Sequence, residues 1–417
     1  AKKVIKAKPN RNRLILPRLT ETEQPQLSRR ERESAPLEQP REQVPAYFHH
    51  PGLELRFSRG PLTPYGFLFG HDENSDVVLE CDIPSFSAHH FALTFDDHHR
   101  PIIKDLGSYN GTEVTYDGVG EGRRSDFVWV IGGHDVPRKI TTIVICVHES
   151  LKFQIVVTDH DITSPPYIDN VKRFRQGMAN AESLFGRLDL RSRPHTERAS
   201  QAHTPGTGPI VLRKKLGEGT FGVVTRLWDV STAAECALKE PSERATRNGW
   251  VNLDAWRKEA RIMGLVSHDR IVRLIRSDFT PVPQLRFEYI PGGNLSDYHD
   301  LSECECLQVL RQCLSALVHL HGREPPIVHR DIKPSNILVQ HRHAGNIDVK
   351  LGDFGLLREG PDPTTICGSL RYLAPEIYAE QDRRRIHSDE KNYTPAVDIW
   401  SLGVAVLECA GELPSGG

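Results

Sequence analysis

Between residues 47 and 160 the apolar residues arrive in short runs separated by polar breaks. The runs are Gly66-Phe-Leu-Phe, Val77-Val-Leu, His90-Phe-Ala-Leu-Thr-Phe, Ile102-Ile-Lys, Thr112-Glu-Val-Thr-Tyr, Phe127-Val-Trp-Val, Ile140-Thr-Thr-Ile-Val-Ile-Cys-Val and Phe153-Gln-Ile-Val-Val. They are rich in β-branched and aromatic residues, and turn dipeptides such as Asn110-Gly111 and Asp117-Gly118 lie between them. Many short strands punctuated in this way predict an all-β sandwich. From residue 207 the period changes. Strand-like runs around Val223, Val224, Leu227, Ala237 and Leu238 precede a helical pattern over 251–266. A longer one follows over 304–321, with Leu307, Leu310, Leu314, Leu317 and Leu320 on one stripe. This order predicts an α+β domain over 207–417, so the chain reads as multidomain.

Two segments lack such patterning. Residues 1–46 carry Lys2, Lys3, Lys6, Lys8, Arg11, Arg13 and Arg18 before any acid, and few large apolar residues. They read as a disordered basic tail. Residues 161–206 are polar, with Ser164-Pro-Pro, Arg191-Ser-Arg-Pro and Thr204-Pro-Gly-Thr-Gly. They read as an interdomain linker with one helix near 170–187.

Composition narrows the functions open to the 417 residues. At 38% hydrophobic there is material for sizeable cores, and no apolar run reaches the ~18–20 residues of a membrane span. A formal charge of −2 gives no global electrostatic case for binding nucleic acid or a membrane surface. Eight scattered cysteines without a CxxC pair or signal peptide fit free thiols in a reducing, nuclear or cytoplasmic setting. The histidine pairs His49-His50, His89-His90 and His98-His99 lack accompanying metal-ligand spacing, so loop and core roles are expected rather than zinc.

The candidate chemistry lies in the second half. Gly217-Glu-Gly219-Thr-Phe-Gly222-Val-Val224 is a GxGxxGxV run. Glycines let backbone amides approach phosphate oxygens, and alone such a run would also fit a dinucleotide site. Its company decides. Ala237-Leu238-Lys239 supplies an ammonium on a following strand, and Glu259 lies in the next helical stretch, where it can pair with that lysine. Then come His329-Arg330-Asp331-Ile-Lys333-Pro-Ser-Asn336 and Asp353-Phe354-Gly355. Phosphoryl transfer needs in-line positioning, neutralised phosphate charge and an acceptor for the nucleophile's proton, and these residue types supply all three.

With these motifs in order, residues 210–410 resemble a eukaryotic protein kinase domain. The resemblance implies a bilobal α+β fold with ATP and Mg2+ as cofactors. Leu216, Gly217, Gly219, Gly222, Val224, Ala237 and Leu338 would enclose ATP, and Lys239, paired with Glu259, would contact its phosphates. Phe287-Glu288-Tyr289 resembles the linker between lobes, with backbone groups of Glu288 and Tyr289 hydrogen-bonding adenine. Asp331 would be the catalytic base, Asn336 and Asp353 the metal ligands, and Lys333 the mark of Ser/Thr specificity. Arg330 beside the base implies control by an activation-loop phosphate, with Thr365 as the candidate phosphosite. Such domains usually continue well past the helix that begins near Asp398, so the lower lobe is expected to be truncated, with apolar residues at Val404–Leu407 left uncovered.

Residues 52–158 resemble a forkhead-associated (FHA) domain, a sandwich that binds phosphothreonine peptides through loops at one end. The motifs are Gly70-His71, Ser87-Ala-His-His90 and Asp105-Leu-Gly-Ser108-Tyr-Asn110-Gly111-Thr112. Ser87 matches the phosphate-contacting serine, Asn110 the residue that holds the peptide backbone, and His90 a histidine that supports the loop. The family's arginines are replaced by His71 and Ala88, which removes permanent bidentate cations. Arg56, Arg59 and Lys104 are the candidate replacements. The layout as a whole resembles the DNA-damage checkpoint kinases, and the expected partners are phosphothreonine proteins and protein substrates. The alternative is a catalytically silent scaffold whose sandwich recognises partners.

Overall fold

The structure is a computed structural model and describes residues 4–7, 15–16 and most of 52–187, 208–377 and 394–412. It divides into two compact units, Ala1–Ile210 with Asp229–Ala234, and Val211–Trp228 with Glu235–Gly417.

In the first unit each of the eight runs singled out in the sequence carries a strand. One sheet has the order Val4–Ala7, Val77–Glu80, Phe67–Gly70, Phe91–Phe95, Pro101–Asp105, Val128–Val130, and the other the order Leu151–Ile155, Ile143–His148, Glu113–Tyr116. Phe67, Phe91, Ile103, Trp129 and Val147 are fully buried. Strands buried along their length, such as Phe91–Phe95, read as continuous apolar runs rather than as alternation. Tyr116 lies in this core and satisfies its hydroxyl by donating to the Val130 carbonyl at 2.8 Å.

Two expectations about the flanking segments change. Within 1–46 the strand Val4–Ala7 pairs antiparallel with Val77–Glu80, and Ile15–Leu16 pairs with Gly52–Leu53. The rest of that segment lies outside the described residues. The helix expected near 170–187 is α1, Pro165–Arg187, and it is built into the sandwich rather than free within a linker. Its Val171 and Phe174 are buried, and Phe174 meets Phe57, Phe67 and Phe95 at ring-centroid distances of 5.0, 5.4 and 5.5 Å. Edge-to-face aromatic contact of this kind adds to area burial.

In the second unit a five-stranded sheet runs Val211–Gly219, Gly222–Asp229, Glu235–Glu240, Gln284–Phe287, Leu274–Asp278. It is accompanied by α2 (Glu243–Arg247) and α3 (Leu253–Leu265), and is followed by α4 (Glu303–His321), the hairpin Ile337–His343 with Asn346–Leu351, and α5 (Ala396–Cys409). One core joins Ile262, Leu285, Ala316, Leu320, Val339, Val349 and Leu402.

Helix α4 starts at a capping box: Ser302 Oγ accepts the Glu305 amide, and the Glu305 carboxylate accepts the Ser302 amide. Hydrogen bonds from Arg342 and the Ser302 amide lower the Glu305 carboxyl to about 2. The α4 stripe differs from the leucine reading. The buried face is Cys306, Val309, Cys313, Ala316, Leu317 and Leu320, Leu310 and Leu314 are half-buried, and Leu307 is exposed. Reading only leucines moved the stripe partly off the true face, because cysteine and alanine also pack in cores. On α5, Ile399, Trp400 and Leu407 are exposed. No helix among the described residues is long and apolar enough to cross a membrane.

Candidate functional site

Lys239 sits on the strand Glu235–Glu240, opposite Val224 on one side and Leu285 on the other. The pleat turns its side chain inward, where it is buried. Its Nζ donates to Glu259 Oε1 at 2.7 Å and to Asp353 Oδ1 at 3.1 Å. Glu259 reaches it from the buried face of α3. Burial opposes the charge on Lys239, but the two carboxylates outweigh it and hold the ammonium above its ordinary pKa. Burial likewise pushes the Glu259 carboxyl up against the pull of the lysine. A buried charge is tolerable only when paired in this way.

The second cluster hangs from α5. Asp398, fully buried, accepts the backbone amides of His329 at 2.8 Å and Arg330 at 2.9 Å, and its Oδ2 lies 2.8 Å from His321 Nε2. These bonds fix the backbone at Arg330, which has a positive φ of 69°. A non-glycine residue holds that conformation only where its surroundings over-determine it. The next residue is Asp331. Lys333 Nζ donates to Asp331 Oδ2 at 2.8 Å, and Asn336 Nδ2 donates to Asp331 O at 2.7 Å and Oδ2 at 2.9 Å. Gly352 N–H then donates to Asn336 O at 2.8 Å, and His329 Nε2 lies 3.2 Å from Gly352 O. Asp353 follows, exposed and at φ 52°. Two side-chain groups, Lys239 with Glu259 and Asp353, and Asp331 with Lys333 and Asn336, are thus linked through the Gly352 backbone that leads into Asp353.

The residues expected to enclose ATP lie on the strands Val211–Gly219, Gly222–Asp229, Glu235–Glu240 and Ile337–His343. Gly217 and Gly219 open onto free space, whereas a Cβ at Gly222 would stand 2.4 Å from the Glu240 carbonyl oxygen. Glycine is therefore required at 222 for close strand approach. Leu216 is exposed, and Val224, Ala237 and Leu338 are half-buried. The adenine role expected of the Glu288 backbone narrows to one group. Its amide donates to the Arg273 carbonyl at 2.9 Å, and its carboxylate is held by the Arg273 amide and by Lys350, each at 2.8 Å. Only its carbonyl is left for a base. Tyr289 lies under the Arg226 guanidinium, 4.3 Å from the ring centroid. Thr365 lies outside the described residues.

The donor chemistry fits a hard divalent cation. With its amide nitrogen turned to Asp331, Asn336 has a carbonyl oxygen remaining, and Asp353 adds a carboxylate. Oxygen ligands of this kind suit Mg2+ beside phosphate oxygens. Among the described residues no group of three or more His, Cys, Asp or Glu is placed to hold a metal alone.

At one end of the sandwich a second site is assembled. A Cβ on Gly70 would fall 1.8 Å from the Ala88 carbonyl oxygen, so glycine alone permits the approach of these two segments. His71 N–H donates to Ser87 O at 3.4 Å, and Ser87 Oγ accepts the Tyr109 amide at 2.9 Å. That brings His71, Ser87 and the loop holding Asn110 together; His71 is exposed, and Ser87 and Asn110 are half-buried. His90 supports the loop from below. It is fully buried, stacks on Phe86 at 4.5 Å, and has Nε2 3.4 Å from Gly111 O. Burial lowers its pKa, keeping the ring neutral.

Several organising residues were not singled out by the motifs' chemistry. Asp105, fully buried, accepts from the Ser108 amide at 2.8 Å, Ser108 Oγ at 2.6 Å, Thr112 Oγ1 at 2.7 Å and the Asp126 amide at 3.0 Å. Asp398 plays the same part in the other unit. Asp105 stands inside a quoted motif and Asp398 on the last helix, and a buried aspartate beside loop residues that need hydrogen-bond acceptors is the signal that could have exposed them. His321 and Arg226 carried no such signal. Of the replacement cations considered for the sandwich, Arg59 lies outside the described residues, and Arg56 and Lys104 are exposed.

Comparison with known proteins agrees with this division. The protein kinase domain family matches residues 210–416, and the FHA domain family matches residues 67–127. The chain is 34% identical to the inhibitor of nuclear factor kappa-B kinase subunit alpha of Gallus gallus, over 50% of this chain and 28% of that protein. It is 32% identical to the SNF1-like protein kinase ssp2 of Schizosaccharomyces pombe, over 50% of this chain and 34% of the relative. Similarity to the ovarian-specific serine/threonine-protein kinase Lok of Drosophila melanogaster extends across both units, at 29% identity over 76% of this chain and 68% of Lok. The chain therefore spans about a third of the length of the first two relatives.

Proposed function

Since this chain carries an FHA domain followed by a protein kinase domain with serine/threonine kinase relatives, we propose that it transfers the γ-phosphoryl group of ATP to serine and threonine hydroxyls of proteins, and that its sandwich docks it on phosphothreonine partners. The observation that carries the first part is the linked cluster of Lys239, Glu259, Asp353, Asn336 and Asp331.

In this reading Lys239, held charged by Glu259, binds the nucleotide's phosphates. Asn336 and Asp353 hold Mg2+, which neutralises phosphate charge when bound. Asp331 accepts the proton of the substrate hydroxyl. Lys333, 2.8 Å from Asp331 Oδ2, orients that carboxylate and presents an ammonium to the transferring group. Asn336 aims the same carboxylate through its amide. The Asp398 bonds to His329 and Arg330 preset the loop, so little reorganisation remains for the reacting complex.

The test is phosphate incorporation from Mg-ATP into the chain itself and into a generic basic protein, with Asp331→Asn alongside. Loss of the base lowers the rate by about 10²–10⁴-fold. Equal incorporation by both forms, or none by either, supports the scaffold reading instead. Titration with phosphothreonine peptides tests the sandwich, with Ser87→Ala and Asn110→Ala expected to weaken binding.

A further inference from the structure

The end of the sandwich that gathers His71, Ser87 and Asn110 lacks a permanent cation in the positions where a phosphate-binding surface would be expected to hold one. A neutral serine and asparagine give directed hydrogen bonds but no charge, and a histidine does not offer the bidentate guanidinium of an arginine. A dianionic ligand calls for a fixed positive group nearby.

The chain supplies one from a segment that the motifs did not mark. After the strand Glu113–Tyr116 it turns at Asp117-Gly118 and runs back antiparallel, Tyr116 bridging Val119 and Thr112 bridging Arg124. The return is fixed at its end by two backbone bonds, Thr112 N–H to Arg124 O at 2.9 Å and Arg124 N–H to Thr112 O at 2.8 Å. Beyond it Ser125 Oγ donates to the Ser108 carbonyl at 2.8 Å, and the Asp126 amide donates to Asp105 Oδ1 at 3.0 Å. Residues 123–126 are therefore laced to the same Ser108–Gly111 loop that presents Asn110.

Arg123 is the residue this places against the loop. A Cβ built on Gly111 would lie 3.2 Å from the Arg123 Cβ and 3.1 Å from the Arg124 carbonyl oxygen. Gly111 also adopts a φ of +68°, so the position next to Asn110 is kept free of any side chain of its own, and Arg123 flanks it. Arg123 is half-buried, and its charge acts on the His90 imidazole beneath the loop. The adjacent acid, Glu121, is engaged by Arg124, whose Nη2 is 3.7 Å from its carboxylate and whose Nη1 donates to the Glu121 carbonyl.

We propose that Arg123 is the fixed cation of this recognition surface and pairs with an anionic group of the bound phosphothreonine peptide. The inference rests on the phosphopeptide reading of the sandwich and adds to it the residue that supplies the charge. A guanidinium offers two parallel donors, so an oxyanion, either the phosphate or a peptide carboxylate, is the chemistry it recognises. The partner class that follows is phosphothreonine in an acidic sequence setting when the carboxylate is the target, and any phosphothreonine setting when the phosphate is.

The experiment is a fluorescence-anisotropy titration of the full chain with two labelled phosphothreonine peptides, one with neutral residues on both sides and one with Asp and Glu following the phosphothreonine. Wild type, Arg123→Gln, Arg123→Lys and Ser87→Ala are compared, each checked by thermal melting. Arg123→Gln is expected to weaken binding about 10- to 100-fold, the range of a charge-assisted bond, and to flatten its salt dependence, while Arg123→Lys recovers part of the loss. Loss on both peptides identifies the phosphate as the target, and loss confined to the acidic peptide identifies the carboxylate. Arg123→Gln binding both peptides like wild type, with Ser87→Ala weakened, overturns the role of Arg123 and leaves the phosphopeptide reading standing. Absence of binding by the wild-type chain, with the phosphorylated and unphosphorylated peptides alike, overturns that reading and this inference together.

Discussion

The two candidate phosphate sites are built by contrasting means. The kinase cleft concentrates charge, with two lysines and three carboxylates meeting at 2.7–3.1 Å, Lys239 and Glu259 buried. The sandwich end offers hydroxyl, amide and imidazole groups on loops flanked by Arg123, and keeps Asp105 buried underneath as an acceptor for loop donors. Chemistry at a reacting phosphoryl group needs preorganised charge. Reversible docking needs a shaped loop and few strong contacts. In both units one buried aspartate, Asp398 or Asp105, fixes the functional loop by accepting several hydrogen bonds.

That parallel can be broken by removing charge from each site. The largest effect is expected in the cleft. Lys239→Met removes the phosphate ligand and leaves Glu259 buried without its partner, lowering the rate of phosphate incorporation by about 10²–10⁴-fold, a range comparable with loss of a general catalyst. Asp105→Ala comes next. It strips acceptors from Ser108, Thr112 and Asp126, and at 1–3 kcal/mol for each orphaned buried group the loop loses about 3 kcal/mol or more of local stability. Faster hydrogen exchange at those amides, with little change at Val147, is the expected reading.

His90 gives a pH dependence of intermediate size. Its folded-state pKa lies below the ordinary 6.5 because of burial, so the unfolded chain binds the proton more readily. Stability of the sandwich is therefore expected to be full above pH 6.5 and to fall as the pH drops below it, down to the folded-state pKa. His90→Phe should remove that part of the acid sensitivity in thermal melts at pH 5 and pH 7.5. The smallest effect is at the lobe linker. Arg226→Ala removes the cation–π contact over Tyr289, worth about 0.5–1 kcal/mol at an exposed site, and should raise the KM for ATP by about two- to fivefold with kcat retained.

Much of this was legible in the chain because the chemistry is local in sequence. The eight sandwich strands stood out as dense β-branched and aromatic runs, and Asp331, Lys333 and Asn336 sit within one motif that folds back on itself. What stayed hidden depends on packing across long separations. The burial of α1 on the sandwich needed Phe174 to find Phe57, Phe67 and Phe95, which a polar stretch with prolines conceals. The α4 face was misplaced because cysteine and alanine carried half of it. The occupied amide of Glu288 came from a register no motif encodes, and Arg123 came from a strand return that aligns residues 112 and 124 only in three dimensions.

In the proposed mechanism Asp331 acts on the substrate's proton and not on the nucleotide. Measuring Mg-ATP affinity and phosphoryl transfer on the same preparation of Asp331→Asn tests it most directly. The account predicts affinity within about threefold of wild type and transfer reduced at least about 100-fold. Transfer at the wild-type rate would contradict it.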